Sequence, residues 1–274
     1  CGSGGFLVES LRYVWNKLEE KAADLGWPES EIEAEKQRIA IKNLRGIDKD
    51  SFLSKVAKAY LAILGDGRGG IHCENSLESF RNWSAKTFED IQPESFDVIV
   101  TNPPFGKKLS IDSTEILELY DLGHRWNSVP GGVFEKGALA DKQPPQLLFI
   151  ERCFQMLRPG GRMGIVLLES IFGMPKYQYV VNYIRLQAKI NAIVTLPEDL
   201  FQPHTHAKCC VLICQKYKKN ESYSSCDNYD IFMSDVKWCG HDSRGNITYS
   251  YTSTGEKVVL DEIPLVADRY LEMR

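Results

Sequence analysis

Phe96-Asp97-Val98-Ile99-Val100-Thr101-Asn102-Pro103-Pro104-Phe105 is the stretch whose reading decides the fold. Its first six residues are an apolar, β-branched run and predict a buried strand. That strand delivers Asn102-Pro103-Pro104-Phe105 to its carboxyl end, where open α/β sheets place their ligands. There the Asn102 side-chain carbonyl and the Pro103 backbone carbonyl could accept both hydrogens of one exocyclic amino group. The two prolines fix the backbone and remove competing N–H donors. An aromatic ring at the fourth position could stack on a planar base.

Outward from this strand the chain alternates helix-like and strand-like segments. Residues 6–25 have a helical apolar spacing (Leu7, Leu11, Val14, Trp15, Leu18) that stops at Gly26-Trp27-Pro28. Residues 29–38 are charged and predict a solvated helix, and Ile39 to Ile47 can supply a short strand ending at Asp48. Residues 51–64 are helical, Gly65 to Gly70 is a turn, and Ile71-His72-Cys73 begins another strand. Residues 107–145 have weak periodicity and many Gly, Pro and Ser, which predicts a long functional or disordered loop. A helix over 146–158, the strand Arg162 to Leu168, a helix over 176–189 and the strands Ile190 to Leu196 and Lys208 to Gln215 follow. The last two are expected to pair as a hairpin-like edge. Beyond Lys216 the chain is polar and turn-rich, with one clear strand at Tyr229 to Met233. This alternation predicts an α/β fold: a mostly parallel sheet covered on both faces, with an antiparallel edge. The expected domains are a catalytic domain over 1–215 and a polar hairpin extension over 216–274.

At 43% hydrophobic and 26% charged the composition is that of a globular protein, and no apolar run is long enough to span a membrane. The net charge of −4 does not advertise nucleic-acid binding, so a protein of this charge acting on DNA needs a local basic face or a basic partner. None of the eight cysteines forms a CxxC pair, and Cys209, Cys210 and Cys214 lie in an apolar strand-like run as small core hydrophobes. They read as reduced thiols of a cytoplasmic protein. His204 and His206 stand at i, i+2 without an obvious third ligand, so no metal site is expected there.

Cys1-Gly2-Ser3-Gly4-Gly5-Phe6-Leu7 is a glycine-rich turn running into a helix, which lets the backbone approach a ligand and aims helix N–H groups at it. Such a turn normally follows a buried strand. The first strand of the sheet is therefore expected to be missing from this sequence.

Taken in order, these segments resemble the N6-adenine DNA methyltransferases, and among them the modification subunits of type I restriction-modification systems. Cys1 to Leu7 looks like the tail of their S-adenosylmethionine loop. Gly46-Ile47-Asp48 resembles the second strand, whose terminal acid holds the ribose hydroxyls. Glu74-Asn75-Ser76-Leu77 resembles the segment on the cofactor's adenine, with Asn75 where an acid is frequent. Asn102 to Phe105 is similar to the catalytic tetrapeptide. Met156 to Gly161 with Gly164-Ile165-Val166 resembles a later helix-turn-strand, although Leu167-Leu168-Glu169-Ser170 replaces the usual Leu-Pro-x-Gly. Leu196-Pro197-Glu198-Asp199-Leu200-Phe201, followed by Lys208, looks like the segment that packs on the target base. Gly240 to Gly245 resembles a hairpin beyond the catalytic domain.

The resemblance implies a Rossmann-like methyltransferase sheet and direct methyl transfer from S-adenosyl-L-methionine to the adenine amino nitrogen of double-stranded DNA, after the base leaves the duplex. It implies catalysis by Asn102, Pro103, Pro104 and Phe105, and base stacking by Phe105 and Phe201. The implied cofactor contacts are Cys1, Gly2, Ser3, Gly4, Gly5, Phe6, Asp48, Lys49, Asn75, Ser76 and Asn102. Sequence choice would come from a specificity subunit or a separate target-recognition domain. Asp48 has a second reading as the cap of the helix that follows. Lys107, Lys108, Lys216, Lys218 and Lys219 could touch phosphates. A methyltransferase of RNA or of protein glutamine, or a non-catalytic scaffold of this fold, is the alternative.

Overall fold

The computed structural model describes residues 1–65, 70–106, 109–203, 205–225 and 228–273. It comprises two compact units, Cys1–Gln92 and Pro93–Arg274.

In the first unit, α1 (Gly5–Leu25) and α2 (Glu29–Asn43) lead into β1 (Arg45–Asp48), followed by α3 (Ser51–Leu64), β2 (Gly70–Cys73) and α4 (Ala85–Asp90). Helix α1 buries Val8 and Leu11 against Ala57, Leu61 and Ile71. It ends at Gly26, whose left-handed backbone (φ 67°) closes the last turn. Strands β1 and β2 are parallel, in register from Arg45 opposite Gly70 to Asp48 opposite Cys73. The strand expected from Ile39 is corrected: α2 continues to Asn43 and only Arg45–Asp48 is extended. Ala40 is fully buried in the helical cluster. The Trp15 indole donates to the Lys36 carbonyl at 3.1 Å, and Lys36 pairs with Glu33 at 2.7 Å. These contacts outweigh the strand preference of Ile39 and Ile41. Of the expected turn after α3, residues 66–69 lie outside the described residues.

The second unit contains β3 (Phe96–Thr101), α5 (Thr114–Leu117), β4 (His124–Val129), β5 (Val133–Leu139), α6 (Pro145–Met156), β6 (Leu157–Leu168), α7 (Ser170–Gly173), α8 (Gln178–Gln187), β7 (Ala188–Leu196), β8 (Cys209–Lys216), β9 (Phe232–Asp235), β10 (Tyr249–Tyr251), β11 (Lys257–Val259) and α9 (Ile263–Glu272). Its five-stranded sheet has the order β3-β6-β8-β7-β9. β3 is parallel to β6, β8 antiparallel to both β6 and β7, and β9 parallel to β7. Four strands therefore point one way and β8 the other. Gln215, the expected end of the catalytic domain, lies in β8, and β9 beyond it also joins the sheet.

The core joins Leu147, Ile150 and Phe154 of α6 and Val180 and Ile184 of α8 to Met163, Ile165 and Leu167 of β6 and Cys210, Leu212 and Cys214 of β8. Burial pushes the thiols of Cys153 and Cys210 up to about 12, so these cysteines are neutral packing groups. Strand β3 departs from the buried reading. Ile99 packs on the core, but Val98 and Val100, which alternate onto the opposite face of the strand, are 50% and 40% exposed.

Residues 109–143 are structured rather than a bare loop. β4 and β5 form an antiparallel hairpin turning at Pro130-Gly131-Gly132. Its base is fixed from below by α6. The buried Glu151 carboxylate accepts the N–H groups of Asp121 (2.9 Å) and Leu122 (2.8 Å). Gln143 donates its side-chain amide to the Leu122 carbonyl at 2.9 Å and exchanges backbone hydrogen bonds with Ile111. Trp126 stacks on Tyr179 with ring centres 6.0 Å apart.

Two substitutions probe these anchors. A Cβ on Gly46 would stand 2.7 Å from Leu7 and 2.8 Å from Ile71, so Gly46→Ala should destabilise the first unit by about 1–3 kcal/mol in a denaturant titration. Glu151→Ala leaves two backbone donors unpaired and should cost about 1–3 kcal/mol. Exposed Glu135→Ala should stay within about 0.5 kcal/mol of the parent. Equal effects from the two glutamate variants would contradict the anchoring role.

Candidate active site

In the first unit the expected cofactor residues converge on Asp48. Gly2 and Gly4 take left-handed backbone angles (φ 58° and 92°), which turns the chain into α1. A Cβ on Gly4 would also press on Ala57 at 3.2 Å. The turn lays its backbone on the end of β1: the Cys1 nitrogen donates to the Ile47 carbonyl at 2.6 Å and to Asp48 Oδ2 at 3.0 Å, and the Gly2 N–H donates to the same oxygen at 2.7 Å. Asp48 Oδ1 accepts the Asp50 N–H at 2.9 Å. Burial opposes ionisation of this carboxyl, the N–H groups of Asp50 and Gly2 favour it, and the carboxyl is held below its ordinary value.

The cap of α3 is Asp50, not Asp48: Asp50 Oδ1 accepts the N–H groups of Phe52 (2.8 Å) and Leu53 (3.0 Å). Three donors thus fill both directions on Oδ2 and one on Oδ1, and Asp48 keeps one open acceptor direction, on Oδ1. Next to it, the Glu74 N–H bonds the Asp48 carbonyl at 3.1 Å and starts the Glu74–Leu77 turn. Asn75 is partly committed within that turn. Its amide oxygen accepts the Leu77 N–H at 3.2 Å and its amide nitrogen donates to Glu78 at 3.1 Å. Ser76 is half-buried, and Ser3, Phe6 and Lys49 are exposed.

In the second unit the tetrapeptide leaves the carboxyl end of β3 as expected. Asn102 is exposed, and its side-chain amide makes no hydrogen bond among the described residues. Pro103 is buried, Pro104 exposed and Phe105 half-buried. Phe201 closes the short helical turn Glu198–Phe201 after β7. Its ring meets Phe105 edge to face, centres 6.0 Å apart at 89°. The two rings expected to sandwich a base thus touch each other here. Lys208 Nζ stands 3.9 Å from Glu198, and the Lys208 carbonyl accepts the Glu169 N–H at 3.0 Å, joining the loops after β6 and β7.

Some expected contacts are not available. Lys216 is corrected: its ammonium is inside the structure, on the carbonyls of Phe154 (2.8 Å) and Leu157 (2.9 Å) and on Glu94 (2.8 Å), where it closes the end of α6. Lys107, Lys108 and His204 lie outside the described residues. Sequence reasoning missed Gln146, whose side-chain oxygen accepts the Leu168 N–H at 3.3 Å and ties the start of α6 to the carboxyl end of β6. The hairpin and the tetrapeptide therefore rise from the same end of the sheet. The Pro130-Gly131-Gly132 turn was the available signal for that hairpin.

Comparisons with known proteins bear on the family and the fold. The type I restriction enzyme EcoEI methylase subunit of Escherichia coli is 25% identical over 284 residues, covering 96% of this chain and 49% of the relative. The chain thus spans about half the length of the curated relative it matches. A solved type I restriction-modification system aligns with a TM-score of 0.60 at 21% identity, over 90% of this chain and 42% of that one. The crystal structure of the EcoKI M protein aligns with a TM-score of 0.55 at 20% identity, over 90% and 45%. Both likenesses speak for the Rossmann-like methyltransferase fold. The family model described as N-6 DNA Methylase matches residues 1–246. With that match across most of its length, the chain belongs to the N-6 DNA methylase family.

Proposed function

We propose that this chain is the catalytic part of a restriction-modification methyltransferase that methylates the exocyclic amino group of adenine in DNA, using S-adenosyl-L-methionine. The observation that carries the reading is the exposed Asn102 amide, without a hydrogen bond among the described residues, at the carboxyl end of β3 in a chain of this family.

When bound, S-adenosylmethionine supplies an electrophilic methyl group on a sulfonium. The residues present fit it. The glycine turn leaves Gly2 and Gly5 with open space where a side chain would stand, and Asp48 is held ionised beside that turn. The ionised carboxylate can accept a ribose hydroxyl through the acceptor direction left on Oδ1. Ser3, Phe6 and Lys49 border the same turn, and Asn75 and Ser76 follow from β2.

The adenine amino lone pair is delocalised into the ring, which makes it a poor nucleophile. The Asn102 carbonyl and the Pro103 carbonyl accept the two amino hydrogens and favour a pyramidal nitrogen. This frees the lone pair toward the methyl group. The work is positioning and electrostatics, with no covalent enzyme intermediate. The base must leave the duplex to reach this position. Phe105 and Phe201 would part from their edge-to-face contact to hold its ring. The neutral buried cysteines take no part. Target choice belongs to a specificity subunit or separate recognition domain. The seven described cysteines are free thiols, which suits a cytoplasmic enzyme.

The test is transfer of labelled methyl groups to adenine-containing duplex DNA by the intact enzyme. Asn102→Ala should lower the rate by about 100-fold or more and leave S-adenosylhomocysteine affinity within a few-fold. Transfer to RNA or to a protein amide, with none to DNA, would overturn the substrate. Asp48→Ala should weaken S-adenosylhomocysteine binding by about tenfold or more. Because the Asp48 pKa is lowered, its contribution is fully present above the ordinary aspartate value and is lost only as pH falls through the lowered one. Affinity should therefore hold from about pH 7 to about pH 5. A decline centred within that window would contradict the assignment.

A further inference from the structure

The first unit has a second concave feature beside β2. A cleft of about 770 Å³ is framed by α2, α3, β2 and α4, and neither Asp48 nor the glycine turn lines it. Four cations face it: Lys42 from α2, Arg45 from β1, Lys58 from α3 and Lys86 from α4. Two carboxylates share it, Glu74 and Asp90. Glu74 is committed, its Oε1 accepting the Ser84 N–H at 3.0 Å and the Thr87 hydroxyl at 3.1 Å. Asp90 is held loosely: Oδ1 lies 3.5 Å from Arg45 Nη2, and Oδ2 lies 3.2 Å from His72 Nε2.

Among the described residues, two buried nitrogens on this wall make no hydrogen bond, Arg45 Nε and His72 Nε2, and the His72 side chain is only 7% exposed. Orphaned buried polar atoms are rare and costly, so they call for a cause. The neighbours of Thr87 supply one for His72. The Thr87 hydroxyl has one hydrogen and three neighbours, Glu74 Oε1 at 3.1 Å, Ser84 Oγ at 2.8 Å and His72 Nδ1 at 3.1 Å; with that hydrogen on the acceptor-only carboxylate, Ser84 and His72 Nδ1 are the donors to its oxygen. In the neutral ring that leaves a bare lone pair on Nε2, facing the Asp90 carboxylate. Two acceptors at 3.2 Å do not bond. Protonated, Nε2 becomes a donor directed at the cleft wall.

We propose that this cleft binds a small ligand bearing a phosphate-class oxyanion, held by Arg45, Lys58 and Lys86 and by His72 in its protonated form, with the Asp90 carboxylate competing for the same donors. The cleft exceeds a bare phosphate and falls in the range of small-molecule sites, so a phosphate monoester such as a mononucleotide fits the chemistry. The site is independent of the methyltransferase reading.

Binding couples to protonation. Burial lowers the His72 pKa; Arg45, Lys58 and Lys86 lower it further, and Asp90 opposes them. Of the other charges on the cleft, Lys42 acts with the cations, and Glu74 is tied to Ser84 and Thr87. A bound dianion raises the pKa, so binding takes up a proton and strengthens as pH falls.

The experiment is calorimetry on the intact protein with sulfate, inorganic phosphate and adenosine monophosphate. Sulfate keeps its charge across neutral pH and therefore carries the pH series. Exposed Lys58→Ala and Lys86→Ala should each weaken sulfate binding by about threefold or more, while S-adenosylhomocysteine binding is unchanged. Asp90→Asn should strengthen it by a similar factor, the opposite of what loss of a structural residue would do. Sulfate affinity should rise from about pH 8 to about pH 6, and His72→Gln should flatten that rise. Monophosphate binding tighter than inorganic phosphate supports an ester ligand; equal affinity supports free phosphate in the same site. Unchanged or weaker sulfate binding by folded Asp90→Asn would overturn the proposal, as would an absent pH dependence. Displacement of bound sulfate by duplex DNA would also overturn it, because the cations would then belong to a nucleic-acid backbone contact.

Discussion

One carboxylate organises the first unit of this protein. Asp48 gathers the Cys1 nitrogen and the N–H groups of Gly2 and Asp50 at the end of β1. It thereby fixes three things together: the path of the glycine turn, the end of the strand and the start of the next helix. The arrangement works only because Asp50, two residues on, takes over the capping of α3. An aspartate that capped the helix itself would have little left for a ligand. The same backbone donors that pin the loop keep Asp48 ionised, so local folding and ligand chemistry draw on one set of hydrogen bonds.

The second unit solves a different problem. Its sheet must present an asparagine in solvent at the tip of a strand while the rest of that end stays ordered. Glu151 and Gln146, both on the core helix α6, supply the order. Glu151 holds the base of the hairpin, and Gln146 ties the start of α6 to the end of β6. Buried polar groups that are fully paired in this way fix a loop without leaving orphaned donors. Phe201 and Phe105 then meet at the tip, the edge of one ring against the face of the other.

Much of this was legible in the residues because it rests on local rules. The helix of residues 6–25, its stop at Gly26, the strand into Asn102 and the core cysteines follow from spacing, turn chemistry and apolar runs. What escaped depended on partners distant in sequence. Ile39 and Ile41 look like strand residues until Trp15 and Glu33 are seen holding Lys36 in a helix. Lys216 looks like a surface lysine until the carbonyls at the end of α6 come into view. The hairpin at 124–139 lacks a clean apolar alternation, and its stabilising contacts come from Glu151 at its base and from Tyr179. That β8 enters between β6 and β7 is a matter of long-range pairing, which periodicity does not encode.

The central claim is that the glycine turn, Asp48 and the Glu74–Leu77 turn of the first unit hold one bound cofactor. Backbone hydrogen exchange of the intact protein, with and without S-adenosylhomocysteine, tests it most directly. Slowed exchange is expected in the peptides covering residues 1–7, 46–50 and 74–77, with the strands of the second unit little changed. Protection absent from all three segments would contradict it.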